Sequence, residues 1–142
     1  MKYLLDTDTC IFALRQRMGV LRRRLQESPD DIAVNAMTEA ELIFGAIRSP
    51  APERARPQAT AFLELVLVLP FDREAARKHA EIRWAIRSRP IGERGLVTAA
   101  VAVAVAHGLT LVTHNPREFS QVEGLALEDW AEWPPCGAPD AN

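Results

Sequence analysis

Short apolar runs at residues 3–5, 32–34 and 110–113, a fourth at 66–71 that reads as a strand or as the buried end of a helix, and a candidate edge strand at 125–130 are separated by longer stretches in which apolar residues recur at helical spacing. Strand-length runs that alternate with helices point to parallel pairing, because two parallel strands need a crossover of a dozen or more residues and a helix supplies it. The expected fold class is α/β: a mostly parallel central sheet of four to five strands flanked by helices. A chain of 142 residues that is 48% hydrophobic can bury one proper core, so one domain over residues 1–131 is expected. Residues 132–142, with three prolines and a glycine, read as a flexible C-terminal tail.

The ends of the strands carry the chemistry. Tyr3-Leu4-Leu5 stops on Asp6 and turns at once into Thr7-Asp8-Thr9. In an open α/β sheet, ligands bind outside the carboxyl ends of the strands, so Asp6 is placed to hold a metal or a phosphate; its ordinary role there is to cap the next helix. Thr113 and Asn115 follow a later strand and point to the same rim. A helix expected over residues 38–48 has Thr38 as its cap and Glu41 completing a capping box, with Gly45 one turn on leaving room beside the acid. Carboxylates that converge repel unless a cation neutralises them, and oxygen ligands without His or Cys favour Mg²⁺ or Mn²⁺. Such a centre activates water and steadies the charge on a phosphodiester.

The remaining segments fill in the helical layers. Helices are expected over residues 10–17 and 20–27, the second with Val20, Leu21 and Leu25 on one side. Pro50, Pro52 and Pro57 read as a loop, and Asp72 as the cap of a helix with Ala76, Ala80, Ile82 and Trp84 apolar that stops near Arg89-Pro90. Residues 96–106 alternate Val with Ala, which by period alone says strand. Their alanine content, their length and the stop at His107-Gly108 favour a helix instead.

Composition narrows the partners. No apolar run approaches membrane-spanning length and the start does not resemble a signal sequence, so a cytoplasmic protein is expected. Cys10 and Cys136 suit neither a zinc site nor a disulfide framework. The net charge of -2 makes no global case for nucleic acid, but the cations are two lysines against fifteen arginines, and Arg22 to Arg24 and the series Arg83, Arg87, Arg89, Arg94 form local patches suited to phosphate. His79, His107 and His114 are expected in structural or solvent roles, and Trp84, Trp130 and Trp133 as packing residues.

Taken in order, the chain resembles a PIN domain of the VapC toxin type, the ribonuclease half of a type II toxin–antitoxin pair. The resemblance rests on Leu4-Leu5-Asp6-Thr7-Asp8, on residues 38–46, on Pro90-Ile91-Gly92, on residues 111–119 and on the closing residues 125–130. It implies a PIN-like fold and a Mg²⁺- or Mn²⁺-dependent endoribonuclease acting on RNA such as a transfer RNA, as a homodimer held by a cognate VapB-type antitoxin. By the same resemblance Asp6 and Glu41 are metal and water ligands, Asn115 fills the fourth acidic position, and Thr113 is its hydrogen-bonding neighbour.

The family's third acid has no counterpart. Counted from Pro90-Ile91-Gly92 its place falls on Gly95, and counted back from Thr113 on Val97; neither residue binds a metal. Glu93, one helical turn before Val97, is the acid nearby that stands as a substitute. The alternative is a catalytically impaired PIN domain that binds an antitoxin or RNA without cutting. Asp6-Thr7-Asp8 also resembles the opening of haloacid-dehalogenase-type phosphatases, but that family needs a lysine and an acidic pair after a threonine strand end, and neither follows Thr113.

Overall fold

The computed structural model describes residues 1–88 and 95–131. Among them, strands β1 (Tyr3–Leu5), β2 (Ile32–Asn35), β3 (Leu67–Leu69), β4 (Thr110–Val112) and β5 (Ala126–Glu128) form one sheet in the order β3-β2-β1-β4-β5. Every neighbouring pair is parallel, so the expected α/β sheet is borne out at five strands. The helices are α1 (Thr7–Leu14), α2 (Met18–Leu25), α3 (Ala36–Ile47), α4 (Pro52–Glu64), α5 (Arg73–Ala85) and α6 (Gly95–His107).

Alternation along each strand divides the interior into two cores. Leu4, Ala33 and Leu111 face one side, where they meet Ala75 and Ile82 of α5 and residues 100–104 of α6. Leu5, Val34 and Val112 face the other, against Cys10 of α1, Val20 of α2, Leu42 of α3 and Phe62 of α4. The Val/Ala segment is the helix α6, as expected, and residues 99–104 are all buried. A helix covered on every side needs no polar face, and alanine lets its neighbours approach closely. Gly108, at φ +64°, ends it in the left-handed conformation that glycine tolerates best.

Several helix starts and faces differ from expectation. Asn35, not Thr38, caps α3: its Oδ1 accepts the Thr38 N–H at 2.8 Å. β2 runs into α3 with no loop between them, so the last strand residue takes the cap and Thr38 becomes a buried residue of the first turn. In the same way Asp6 starts α1 at Thr7 rather than at residue 10. Pro52 opens α4 and Pro57 lies inside it, where a loop was expected. Proline is harmless in a first turn, and the carbonyl that Pro57 crowds and leaves without a donor is that of the exposed Glu53. Asp72 caps α5 as expected, through the Ala75 N–H at 2.9 Å. Trp84, however, is 68% exposed, while Ala75, Ile82 and Ile86 form the buried face.

The buried face of α2 carries Val20 and Arg23, whereas Leu25 is 86% exposed. Arg23 is drawn inward by its partners. Its Nη2 donates to the Tyr3 hydroxyl at 2.9 Å and lies 3.6 Å from Glu128, and its Nη1 pairs with Glu27. The guanidinium also lies over the rings of Tyr3 and Trp130, which meet edge to face. Trp130 is buried as expected and donates its indole N–H to Glu128 at 2.8 Å. Among the described residues no helix is long and apolar enough to cross a membrane. The tail expected over residues 132–142, with Trp133 and Cys136, lies outside the described residues.

Candidate active site

The strand order reverses between β1 and β4, and that switch point is where open parallel sheets form a ligand crevice. Leu5 is paired with Val112, so the next residue on each strand, Asp6 and Thr113, leaves the sheet at the same level. On the other side, Tyr3 pairs with Ile32 and Leu4 with Ala33, which puts Asn35 at that level too. Side chains alternate, so these three polar groups share the face of the sheet that carries Leu4, Ala33 and Leu111.

Asp6 is only 6% exposed. Its Oδ1 accepts the Thr9 N–H at 2.8 Å, and its own N–H donates to the Val112 carbonyl at 3.0 Å, so the turn out of β1 is tied to β4. The Thr113 hydroxyl donates to the Asp6 carboxylate and accepts the Asn115 N–H at 3.2 Å. Burial pushes the Asp6 carboxyl above the usual range, and Asp8 adds to the effect, while the Thr113 and Thr9 donors pull it back. The result is a desolvated carboxylate held by neutral donors, the kind of group a divalent cation stabilises.

Glu41 stands on α3, half-buried, in a groove of about 430 Å³ between α1, α3 and α4, with Ile11 and Arg15 across from it. The Thr7 hydroxyl, next to Asp6, donates to the Thr38 hydroxyl at 3.3 Å, one turn before Glu41. Glu41 is therefore in the second turn of α3 rather than in a capping box. A Cβ built on Gly45 meets nothing within 4 Å, so the space beside the acid does not depend on glycine. Asn115 is exposed at the rim and begins a short 3₁₀ turn, Pro116–Phe119.

The structure thus brings Asp6, Thr113 and Asn115 together and sets Glu41 on the neighbouring helix. Glu93 lies outside the described residues. Gly108 and Leu109 alone join α6 to β4, so α6 runs antiparallel to the strands and its first turn, with Gly95 and Val97, opens on the same rim. Among the described residues no three His, Cys, Asp or Glu side chains are grouped to hold a metal. Asp6 and Glu41 each offer the oxygen donors that Mg²⁺ or Mn²⁺ takes, and these ions complete their shells with water and phosphate.

Asn35 was not singled out from the sequence, although Ile32-Ala33-Val34-Asn35 repeats the pattern of Leu4-Leu5-Asp6: an apolar strand ending on an Asx residue. Asn35 is fully buried, and its Nδ2 has no hydrogen-bond partner. His114 packs edge to face on Phe12 and lies 3.1 Å from Asp129, a structural tie as expected.

Comparison with known proteins agrees with this geometry. The PIN domain family matches residues 3–125. The chain is similar to the tRNA(fMet)-specific endonuclease VapC of Salmonella typhimurium, 35% identical over 132 residues that cover 92% of this chain and 98% of that one. It is also similar to ribonuclease VapC2 of Haemophilus influenzae, 32% identical with the same coverage. Among solved structures, the DNA-bound VapBC from Salmonella typhimurium superposes with a TM-score of 0.83 at 33% identity, covering 92% of this chain and 98% of that one. VapBC2 from Rickettsia felis, bound to a DNA fragment from its promoter, gives 0.81 at 26% identity, covering 92% and 99%. The parallel sheet, the acid at its switch point and these matches over nearly the whole chain lead to one conclusion: the chain belongs to the VapC family of PIN-domain ribonuclease toxins.

Proposed function

We propose that this chain hydrolyses phosphodiester bonds of a structured RNA, with transfer RNA as the substrate class, using Mg²⁺ or Mn²⁺ held by Asp6 and Glu41. The observation that carries this reading is the buried Asp6 carboxylate at the β1/β4 switch point, fixed by Thr9 and Thr113. The bound cation would supply charge neutralisation and a more acidic water. The chain's own residues do the rest. Thr113 orients Asp6, and Asn115 offers an exposed amide at the rim to a phosphate oxygen or a water. Glu93 remains the candidate for the missing third acid. The name of the Salmonella relative supports transfer RNA as the substrate.

The similar solved structures are toxin–antitoxin complexes, which supports a VapB-type antitoxin as partner. The groove beside Glu41 is where such a partner would block the site. The exposed Phe44 and Ile47 on α3 suit either its apolar contacts or a homodimer.

A second reading has its own observation: Gly95 or Val97 stands where the third acid belongs, and no three-membered group of ligands exists among the described residues. On that reading the chain binds antitoxin or RNA without cutting. Purified protein and the variants Gly95→Asp, Val97→Asp and Asp6→Ala, incubated with transfer RNA and Mg²⁺, separate the two. The proposal expects metal-dependent cleavage by the unmodified chain, lost in Asp6→Ala and in EDTA. Cleavage by an Asp-restored form alone would replace it with the second reading.

A further inference from the structure

The outer face of α5 is not used by the site described above, and it carries an aromatic residue in a line of arginines. At 100° per residue, Arg73, Arg77 and Trp84 fall within an arc of about 40°, and they span about 16 Å along the axis. All three side chains are exposed. Just past the helix end, the Arg87 guanidinium lies 3.8 Å from the centre of the Trp84 ring and donates from Nη1 to the Trp84 carbonyl at 2.7 Å. One face of the indole is therefore covered by a fixed cation. With 68% of the residue exposed, the ring is left open to a partner. The acids nearest in helical projection, Glu74 and Glu81, fall about 60° or more from Trp84, and Glu81 is engaged by Lys78 at 3.1 Å.

We propose that this face is a docking surface for single-stranded RNA, with a base stacked on Trp84 and the backbone phosphates met by Arg73, Arg77 and Arg87. The inference rests on the ribonuclease reading and extends it to the strand that leads away from the cleavage point. Placement supports it. Arg73 follows Asp72, the cap of α5, and so stands at the carboxyl edge of the sheet, the same edge as Asp6. β3 lies two strands from β1, about 10 Å away. From there the stripe runs down the outside of the molecule. Charge selects the occupant: an apolar protein surface gains little from a ring flanked by arginines, whereas a nucleic-acid strand presents a π-face and a phosphate in each repeat.

The test reads binding without cleavage. In EDTA, a fluorescein-labelled single strand of roughly twelve nucleotides and an unmodified transfer RNA transcript are titrated with the full chain and with Trp84→Ala, Trp84→Phe and Arg73→Ala/Arg77→Ala, followed by anisotropy. Trp84→Ala should weaken binding about tenfold and Trp84→Phe should recover most of it. The double arginine variant should lower the slope of log Kd against log salt by about 1.4, or 0.7 for each lost phosphate contact on a single strand. Affinities within about twofold of the unmodified chain and an unchanged slope would overturn the proposal. So would a change of mass on light scattering for Trp84→Ala with RNA affinity intact, because the face would then cover a second copy of the chain. Failure of Mg²⁺-dependent cleavage with stripe-dependent binding intact would strike the catalytic reading and leave this one standing.

Discussion

Replacing Thr113 with valine keeps the shape of a buried side chain and deletes one hydroxyl. That hydroxyl donates to a desolvated carboxylate and accepts the Asn115 N–H. The Asn115 N–H belongs to an exposed residue and finds water, so the cost falls on Asp6. A hydrogen bond to a charged group contributes about 1.5–3 kcal/mol, and we take about 2 kcal/mol for Thr113→Val at pH 7. In a domain of this size that lowers Tm by about 6 °C. The pH dependence identifies the cause. Burial already raises the Asp6 carboxyl, and losing a donor that pulls it down raises it further. The stability gap between the two proteins is therefore fully present above both Asp6 values and closes as pH falls through them, where a protonated carboxyl no longer needs the donor. Urea melts between pH 4 and pH 8 read the gap directly. A parallel Mg²⁺ titration by thermal shift should show affinity reduced about 10- to 100-fold, as for other groups that orient a metal ligand. A gap under about 0.5 kcal/mol, or one that stays constant with pH, would refute the assigned link from Thr113 to Asp6.

Other outcomes follow from the packing. Trp130→Ala should cost about 3–5 kcal/mol in urea melts, whereas ending the chain after Ala131 should leave the midpoint unchanged if the domain stops there. Arg23→Ala should destabilise by about 1–3 kcal/mol, because Tyr3, Glu27 and the partly exposed Glu128 lose a shared partner; an Arg23→Met variant, which keeps the volume, should lose less. Phe44→Asp, on an exposed position of α3, should change the melting midpoint little while reducing antitoxin capture or dimer mass on light scattering; retention of both would remove α3 from the partner surface.

The strand ends were the legible part of the site. Asp6 and Thr113 were found because an apolar run that stops on a polar residue marks a carboxyl edge, and the register then puts them side by side. The start of α3 was misread because Thr38 and Glu41 make a good local capping box, and a window of four residues does not show that β2 ends on Asn35 with no loop to spare. The faces of α2 and α5 failed for a related reason. Arg23 is buried because Tyr3 and Glu128, from distant parts of the chain, meet it there, and Trp84 is exposed because Ala75, Ile82 and Ile86 already fill the face of α5 that packs on the core. The Val/Ala segment shows the reverse case, in which length and alanine content outweighed a misleading alternation. The third acid was recognised as missing by position, and Glu93, its proposed substitute, lies outside the described residues.

The Arg23 cluster fastens strands that are not neighbours in the sheet. Tyr3 lies on the central strand β1, Glu128 on the edge strand β5 and Trp130 just past it, yet one guanidinium gathers all three. This clasp closes only where β5 is paired with β4, because that register sets Glu128 at its level. β4, which ends at Thr113, lies between β1 and β5, so the clasp ties together the two strands that flank it.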